Sequence, residues 1–263
     1  MSLTKKQKDS IKEKLYSVLR NKFKDYKPET TSMPFHTRLL GKDRMALFSF
    51  IHSLNTNFGT AIFEPLAIEL GKDRFKVIKK QEISKNIITS ESQIIIQNIM
   101  DDLRSANKRP NKDEEIKLIK KVCRIGEIKK IKPSKIDIYI EDYDNNIYLI
   151  DLKTAKPNKG EFQNYKRTLL EWTATALYFN NENNVHSMIG IPYNPYDPKP
   201  YERWTLAGML DLEKELKVAE ELWNFLGGDN VYNDILKCFE EVGLEMRKEI
   251  DEYFSNFLYK DKG

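Results

Sequence analysis

The feature that most limits the fold of this 263-residue chain is a pair of apolar segments interrupted by charged residues. Segment 135–142 (KIDIYIED) alternates isoleucine with polar residues, a turn-forming DYDNN sequence follows, and segment 147–154 (IYLIDLKT) is mostly apolar. This pattern predicts an antiparallel β-hairpin. Asp137 should then lie roughly opposite the region of Lys153, within cross-strand reach of Asp151, and Asp151 shares a face with Lys153 because alternate residues of a strand point the same way. Two carboxylates and one ammonium therefore converge on one face.

Charged groups beside an apolar core are costly unless they are paired or bind a metal. Two carboxylates suit a hard divalent cation such as Mg²⁺, which prefers oxygen ligands and keeps several waters. A plainer interpretation is equally open at this point. Asp137 and Lys153 would form a cross-strand salt bridge on a solvated face, and Asp151 would be a strand-end residue.

Composition narrows the kind of protein further. Hydrophobic residues make up 40% of the chain, charged residues 32%, and the formal net charge is +4, which permits nucleic-acid binding without indicating it. Apolar runs stay well short of the roughly 20 residues that span a bilayer, and the N-terminus does not have the pattern of a secretory signal, so we expect a cytoplasmic protein without membrane contact. Cys123 and Cys238 are far apart and outside any ligand spacing, and the three histidines are well separated. Carboxylates must therefore hold any metal, and both cysteines are predicted core residues.

Periodicity along the chain predicts helices before and after the hairpin, in a mixed α/β arrangement. We expect one domain over 1–263, with N-terminal helices at 1–55, an α/β core at 56–205 carrying a helical insertion near 90–121, and C-terminal helices at 206–263. The predicted elements are an N-terminal helix through Ile11–Phe23, helices at 43–55, 60–70, 90–106, 112–121 and 161–179, a strand at 185–193, and helices at 207–226 and 230–258 that are separated by Gly227 and Gly228.

The hairpin motif resembles the PD-(D/E)XK nuclease superfamily. The matching residues are PSKID at 133–137 and Asp151-Leu152-Lys153, with Asp-x-Lys where many members have Glu-x-Lys. Two longer runs, SLNTNFGTAIFEPLA at 53–67 and IDLKTAKPNK at 150–159, look most like the TdeIII-like type II restriction endonucleases. The resemblance covers roughly residues 38–205, and it implies a mixed β-sheet core flanked by helices, with helical additions at both ends.

The resemblance also implies a role for each matching residue. Asp137 and Asp151 would bind Mg²⁺ with the backbone carbonyl of Leu152, and Lys153 would orient the attacking water or stabilise charge in the transition state. Glu64 would complete the metal shell or position a second ion. Glu69, one helical turn further on, is an alternative, and a secondary interpretation of Glu64 is a helix N-terminal charge that favours the macrodipole.

The implied activity is that of a Mg²⁺-dependent type II restriction endonuclease, which cuts double-stranded DNA at a short GGNCC-like palindrome to leave 5′-phosphate ends. Such an enzyme acts as a homodimer beside a cognate DNA methyltransferase as its functional partner. The C-terminal helices are candidates for the dimer interface, with folding back on the chain's own core as the simpler alternative. Candidate DNA contacts follow the second strand of the hairpin: Lys156, Asn158, Lys159, Gln163, Lys166 and Arg167.

Two other functions stay open on the sequence. One is a repair or junction-resolving nuclease of the same fold, which would recognise DNA structure instead of sequence. The other is a non-catalytic nucleic-acid-binding or scaffold protein, in which Asp137 and Lys153 form only a salt bridge.

Overall fold

The computed structural model describes residues 2–153, 161–202 and 208–257. The chain forms two compact units, unit 1 from residues 1–69 and 229–263 and unit 2 from residues 70–228. In chain order the elements are α1 (Lys5–Asp25), α2 (Pro34–Leu40), α3 (Lys42–Phe58), a π-helical turn (Gly59–Phe63), α4 (Glu64–Gly71), β1 (Val77–Ile83), β2 (Ile87–Thr89), α5 (Ser90–Arg104), α6 (Lys112–Val122), β3 (Ile128–Lys130), β4 (Lys135–Glu141), β5 (Asn146–Leu152), α7 (Phe162–Phe179), β6 (Asn184–Ile191), β7 (Leu216–Val218), α8 (Glu220–Gly227), α9 (Val231–Glu245) and α10 (Arg247–Ser255).

Unit 1 is helical. The Thr4 side chain accepts a hydrogen bond from the Gln7 backbone N–H and forms a capping box that begins α1. Helix α1 then packs along α9, while aromatic rings of α1, α3 and α10 meet in one cluster. The buried apolar side chains of these helices include Ile11, Leu15, Met45, Phe50, Val231, Ile235 and Val242.

Unit 2 is built on a five-stranded sheet with the order β1-β4-β5-β6-β7. Strands β1, β4 and β5 are antiparallel neighbours, while β5, β6 and β7 run parallel. The mixed α/β fold predicted from the sequence is therefore confirmed, as is the hairpin. A separate antiparallel pair is formed by β2 and β3.

The register of the hairpin corrects one detail of the sequence prediction. Ile138 pairs with Ile150, so the same register continued by one residue places Asp137 opposite Asp151 instead of Lys153. The cause is the turn, which closes with a hydrogen bond from the Asp142 N–H to the Asn146 carbonyl and is centred one residue earlier than expected.

Helices cover both faces of the sheet in unit 2. Helix α7 lies on one face, where the Ser187 hydroxyl of β6 is 3.0 Å from that of Thr173 and donates to the Leu169 carbonyl. Helix α8 lies on the opposite face, where its Leu222 side chain is so close to Gly190 of β6 that a Cβ added to this glycine would be 3.2 Å from it. Because β5 sits between β4 and β6, its backbone is held on both sides.

Other boundaries also differ from the sequence prediction. The single helix expected at 207–226 is a short strand, β7, followed by α8, and the helix expected at 230–258 is interrupted at Met246 between α9 and α10. Helix α5 is capped by Thr89, whose hydroxyl accepts a hydrogen bond from the Ser92 N–H. Cys123 and Cys238 are both buried free thiols, as predicted. Over the described ranges, the helices are all too short or too polar to cross a membrane.

Candidate active site

The site forms where β4 and β5 carry their carboxylates on the α7 side of the sheet. Asp137 lies on β4, and its Oδ2 accepts a hydrogen bond of 2.8 Å from the Leu152 N–H on β5. This cross-strand bond fixes the Asp137 carboxylate against the neighbouring strand. It also explains why an aspartate interrupts an isoleucine-rich strand, since the charged oxygen gains a backbone donor where water is partly excluded.

Asp151 is the more deeply buried of the two carboxylates, with 7% of the residue exposed. Its Oδ1 accepts from the Lys153 ammonium at 2.5 Å. Burial chiefly raises the pKa of Asp151, the Lys153 ammonium partly opposes this rise, and the neighbouring Asp137 adds to it, so that the resulting pKa is about 7. Asp151 therefore exchanges a proton near neutral pH, and a second cation beside it would favour the charged form.

Lys153 is held from three directions. Its backbone N–H donates to the Gly190 carbonyl on β6, and its ammonium pairs with Asp151 and lies 4.9 Å from the centre of the Tyr165 ring. The Tyr165 hydroxyl donates to Glu161 Oε2 at 2.6 Å. Burial chiefly raises the pKa of that hydroxyl.

The contact between Lys153 and Tyr165 was not predicted from the sequence. Its one available signal is the spacing of Glu161 and Tyr165, because residues four apart are neighbours on a helix. That spacing shows that the two side chains can meet each other. The approach of α7 to β5, which brings the ring to Lys153, depends on tertiary packing.

The predicted glutamate lies in unit 1. Glu64 is the first residue of α4 and is buried, and it follows the π-helical turn, which continues α3 without a break, so that Pro65 lies within a continuous helical run. Glu69 is on the same helix and is half-buried. The assignment of either glutamate to a metal shell stays a prediction.

The donor set fits a hard divalent cation. Among the described residues there is no group of three or more His, Cys, Asp or Glu side chains arranged to hold a metal. Asp137 and Asp151 nevertheless supply two carboxylates close enough for Asp137 to raise the pKa of Asp151, and Mg²⁺ takes as few as one or two protein carboxylates while keeping several waters. The two aspartates would hold the ion, and the mutual repulsion of their charges is the feature that a cation relieves.

The candidate DNA-contacting side chains have different surroundings. Lys156, Asn158 and Lys159 lie outside the described residues. Gln163 is exposed and accepts from Arg104 Nε at 3.0 Å, and Arg167 is half-buried and donates to Gln97 at 2.6 Å.

Lys166 has a different environment from the one that its sequence position suggested. It is fully buried, and its ammonium contacts Glu115 Oε2 at 2.5 Å and Glu215 Oε2 at 2.6 Å. Glu215 also pairs with Lys112 at 2.8 Å. We call Lys112, Glu115, Lys166 and Glu215 the buried ion cluster, and since Lys166 points into it we leave this residue out of the DNA-binding set.

Comparison with known proteins shows the family to which the chain belongs. The family model described as type II restriction endonuclease, HinfI, matches residues 3–243, which includes both hairpin strands and all of α7. The chain belongs to the HinfI family of type II restriction endonucleases. The restriction endonuclease function predicted from the sequence is confirmed at this level, and the matching family is HinfI, whereas the sequence resemblance was to the TdeIII-like group.

Curated relatives of this HinfI-family chain are named as type II restriction enzymes. It is 27% identical to the type II restriction enzyme MjaII of Methanocaldococcus jannaschii, over 98% of this chain and 76% of the relative. It is 25% identical to the type II restriction enzyme HgiCII of Herpetosiphon aurantiacus, over 82% of this chain and 80% of the relative. HgiEI of the same organism is 24% identical over 83% of this chain and 80% of its own length.

Proposed function

We propose that this HinfI-family chain is a Mg²⁺-dependent endonuclease that hydrolyses phosphodiester bonds in double-stranded DNA at a specific site. One observation carries the proposal: Asp137, Asp151 and Lys153 converge on one sheet face, with the two carboxylates opposite each other and the ammonium 2.5 Å from Asp151. A salt bridge alone needs one carboxylate and one ammonium. The second, neighbouring carboxylate adds repulsion, which is consistent with cation binding.

The chain's own groups divide the chemistry between them. Asp137 and Asp151 hold Mg²⁺, with the Leu152 carbonyl as an additional oxygen ligand, and Glu64 is the proposed further carboxylate. The Lys153 ammonium has three N–H donors, and its pair with Asp151 uses one. The others are available to orient an attacking water and to stabilise the charge that develops on the scissile phosphate. Mg²⁺, when bound, supplies positive charge at the phosphate and lowers the pKa of water.

The proposed substrate is a short palindromic site of the GGNCC type, cut to leave 5′-phosphate ends. Support for this recognition sequence comes from the resemblance of the runs at 53–67 and 150–159 to the TdeIII-like type II restriction endonucleases. Lys156, Asn158, Lys159, Gln163 and Arg167 are the proposed DNA contacts, with lysines on phosphates and amides on base edges. The enzyme would act in the cytoplasm as a homodimer, beside a methyltransferase that protects the same sites.

The test is incubation of the purified protein with unmethylated phage DNA, in Mg²⁺ and in EDTA. Asp151→Ala and Asp137→Asn remove the proposed metal-binding carboxylates, and Asp144→Asn is the matched control because Asp144 is an exposed aspartate of the hairpin turn. We expect discrete Mg²⁺-dependent fragments from the wild type and the control. Both site variants should lose cleavage while still binding DNA.

Any other outcome of this experiment would indicate a different function. Cleavage of branched or nicked DNA regardless of sequence would favour the structure-specific nuclease. DNA binding without cleavage by the wild type, unchanged by Asp151→Ala, would contradict the nuclease proposal and favour a binding protein. Sequencing the fragment ends of an active wild type tests the GGNCC-type site and the 5′-phosphate independently.

A further inference from the structure

Unit 1 carries an exposed apolar surface on its second and third helices. Its seven side chains are each between 39% and 84% exposed. Helices α2 and α3 contact each other and are separated by a single residue, Gly41. We call these residues the α2–α3 surface: Met33, Phe35, Leu39, Leu40, Leu47, Phe48 and Ile51.

Helix α3 is apolar on two sides. Met45, Ala46 and Phe50 are buried within unit 1, whereas Leu47 and Ile51, which are four residues apart and share a face, point outward. A helix that faces water on one side normally carries polar residues there. Helix α3 therefore has the composition expected of a helix that is covered on both of its apolar sides.

The size of the surface matches one half of a protein interface. A large side chain exposes on the order of 200 Å² when free, so the observed fractions add up to roughly 800 Å². Single monomers usually expose apolar patches of about 300–600 Å² at most. A standard stable interface buries about 800 Å² on each partner.

Several apolar side chains of the C-terminal helices are covered by their own unit instead, whereas Leu244 is 63% exposed. Leu222 and Trp223 of α8 are buried in unit 2, and Ile235 and Val242 of α9 are buried in unit 1. Leu222, Trp223 and Ile235 are among the apolar residues that made the C-terminal helices candidates for a dimer interface. The structure thus favours the simpler alternative, in which they fold onto the chain's own cores.

We infer that the α2–α3 surface is the interface with a second copy of this chain. The inference rests on the proposed function, because one chain supplies one set of Asp137, Asp151 and Lys153, whereas cutting both strands of a duplex uses two. A two-fold axis places the same patch on both copies, so a single apolar surface of this size is self-complementary in composition. Its seven side chains carry no charge, which does not suit DNA phosphates.

The test measures the oligomeric state of the 263-residue chain by sedimentation velocity, from nanomolar to high micromolar concentration. We expect the wild type to sediment as a dimer of 31.0 kDa chains. The double variant Leu39→Glu/Ile51→Glu should dimerise at least about 100-fold more weakly, because charges would be buried at the centre of the interface. Leu236→Glu/Leu244→Glu is the matched control, since these α9 leucines are 48% and 63% exposed and lie outside the surface.

Circular dichroism melting verifies that both double variants are folded. A wild type that stays monomeric throughout, or an α2–α3 variant that dimerises as tightly as the control, would overturn the interface. Cleavage of supercoiled plasmid distinguishes this failure from failure of the proposed function. A monomeric wild type that still produces discrete fragments would contradict the interface and support the proposed function. A wild-type dimer that never cuts DNA, and that the α2–α3 substitutions disrupt, would support the interface and contradict the proposed function.

Discussion

Replacing Lys166 with methionine should destabilise unit 2 strongly. The Lys166 ammonium is fully buried and lies between Glu115 and Glu215, so Lys166→Met removes a positive charge that two carboxylates share. Removing one partner of a buried ion pair costs about 3–5 kcal/mol, because the remaining charge is left in a poorly solvated site. For a unit of this size, each kcal/mol lowers Tm by about 2–4 °C, which gives a loss of roughly 6–20 °C.

A second variant, Lys166→Met/Glu115→Leu, separates the cost of losing the ion pair from the cost of leaving one buried charge without its partner. Glu115 pairs with Lys166, whereas Glu215 also pairs with Lys112. The double variant Lys166→Met/Glu115→Leu removes both charges of one pair and leaves Glu215 with Lys112. It should therefore be more stable than Lys166→Met alone, since replacing a whole buried pair with apolar groups is often neutral or stabilising.

Urea unfolding followed by circular dichroism measures these free energies, with Lys120→Met as the control because Lys120 is an exposed lysine of the same helix as Glu115. The control should change stability by less than about 0.5 kcal/mol. A loss below about 1 kcal/mol for Lys166→Met, or a double variant less stable than the single, would refute the reasoning.

The same variant should also change the pH dependence of stability. Burial already raises the pKa of Glu115, and loss of the Lys166 charge removes the group that chiefly opposes this rise. A carboxyl whose folded pKa is raised stabilises the fold at low pH and loses that contribution as the pH rises through the folded value. The destabilisation by Lys166→Met should therefore be smaller in acid than at neutral pH.

Three further predictions concern the site. Tyr165→Leu should lower kcat roughly 2- to 30-fold at unchanged DNA affinity, because it removes the ring beside Lys153, while Tyr165→Phe keeps the ring and most of the rate. Single-turnover cleavage measures the rate and DNA titration measures the affinity. An equal loss of rate in the two variants would contradict a ring contact. Because the pKa of Asp151 is raised to about 7, the metal-free protein should lose stability as pH rises through that value. Mg²⁺ should therefore raise Tm more at pH 8 than at pH 6. Thermal melts measure both effects, and the Asp151→Asn variant should show no such Mg²⁺ effect. Gly190→Ala should cost about 1–3 kcal/mol and reduce cleavage, because the new Cβ would lie 2.9 Å from Leu152 and 3.0 Å from Ile150, whereas Gly243→Ala, with open space around it in α9, should be neutral or stabilising in the same unfolding assay.

The hairpin and the long helices could be predicted because their signals are local. Alternation between residues 135 and 141 follows directly from the two faces of a strand, and α5 and α7 carry apolar residues at helical spacing. Asp137, Asp151 and Lys153 could be brought together from the sequence for the same reason. A two-residue spacing and one turn determine which side chains share a face.

The remaining features depend on contacts that are distant in sequence. Strand β1 lies in a lysine-rich segment, and its pairing with β4 makes it a strand. Strand β7 has only three residues and was read as part of a helix, because its position is determined by pairing with β6. Lys166 looked like a phosphate ligand since its buried partners lie about 50 residues away on either side along the chain.

The central position of β5 has a consequence for how the protein fluctuates. Its backbone is hydrogen-bonded to β4 on one side and β6 on the other, and the Leu152 amide is further tied to Asp137. Edge strands such as β1 and β7 can separate locally without breaking these bonds. In hydrogen–deuterium exchange, amides of β5 should thus exchange among the slowest in unit 2, so that local opening at the edges leaves the spacing of the two aspartates unchanged.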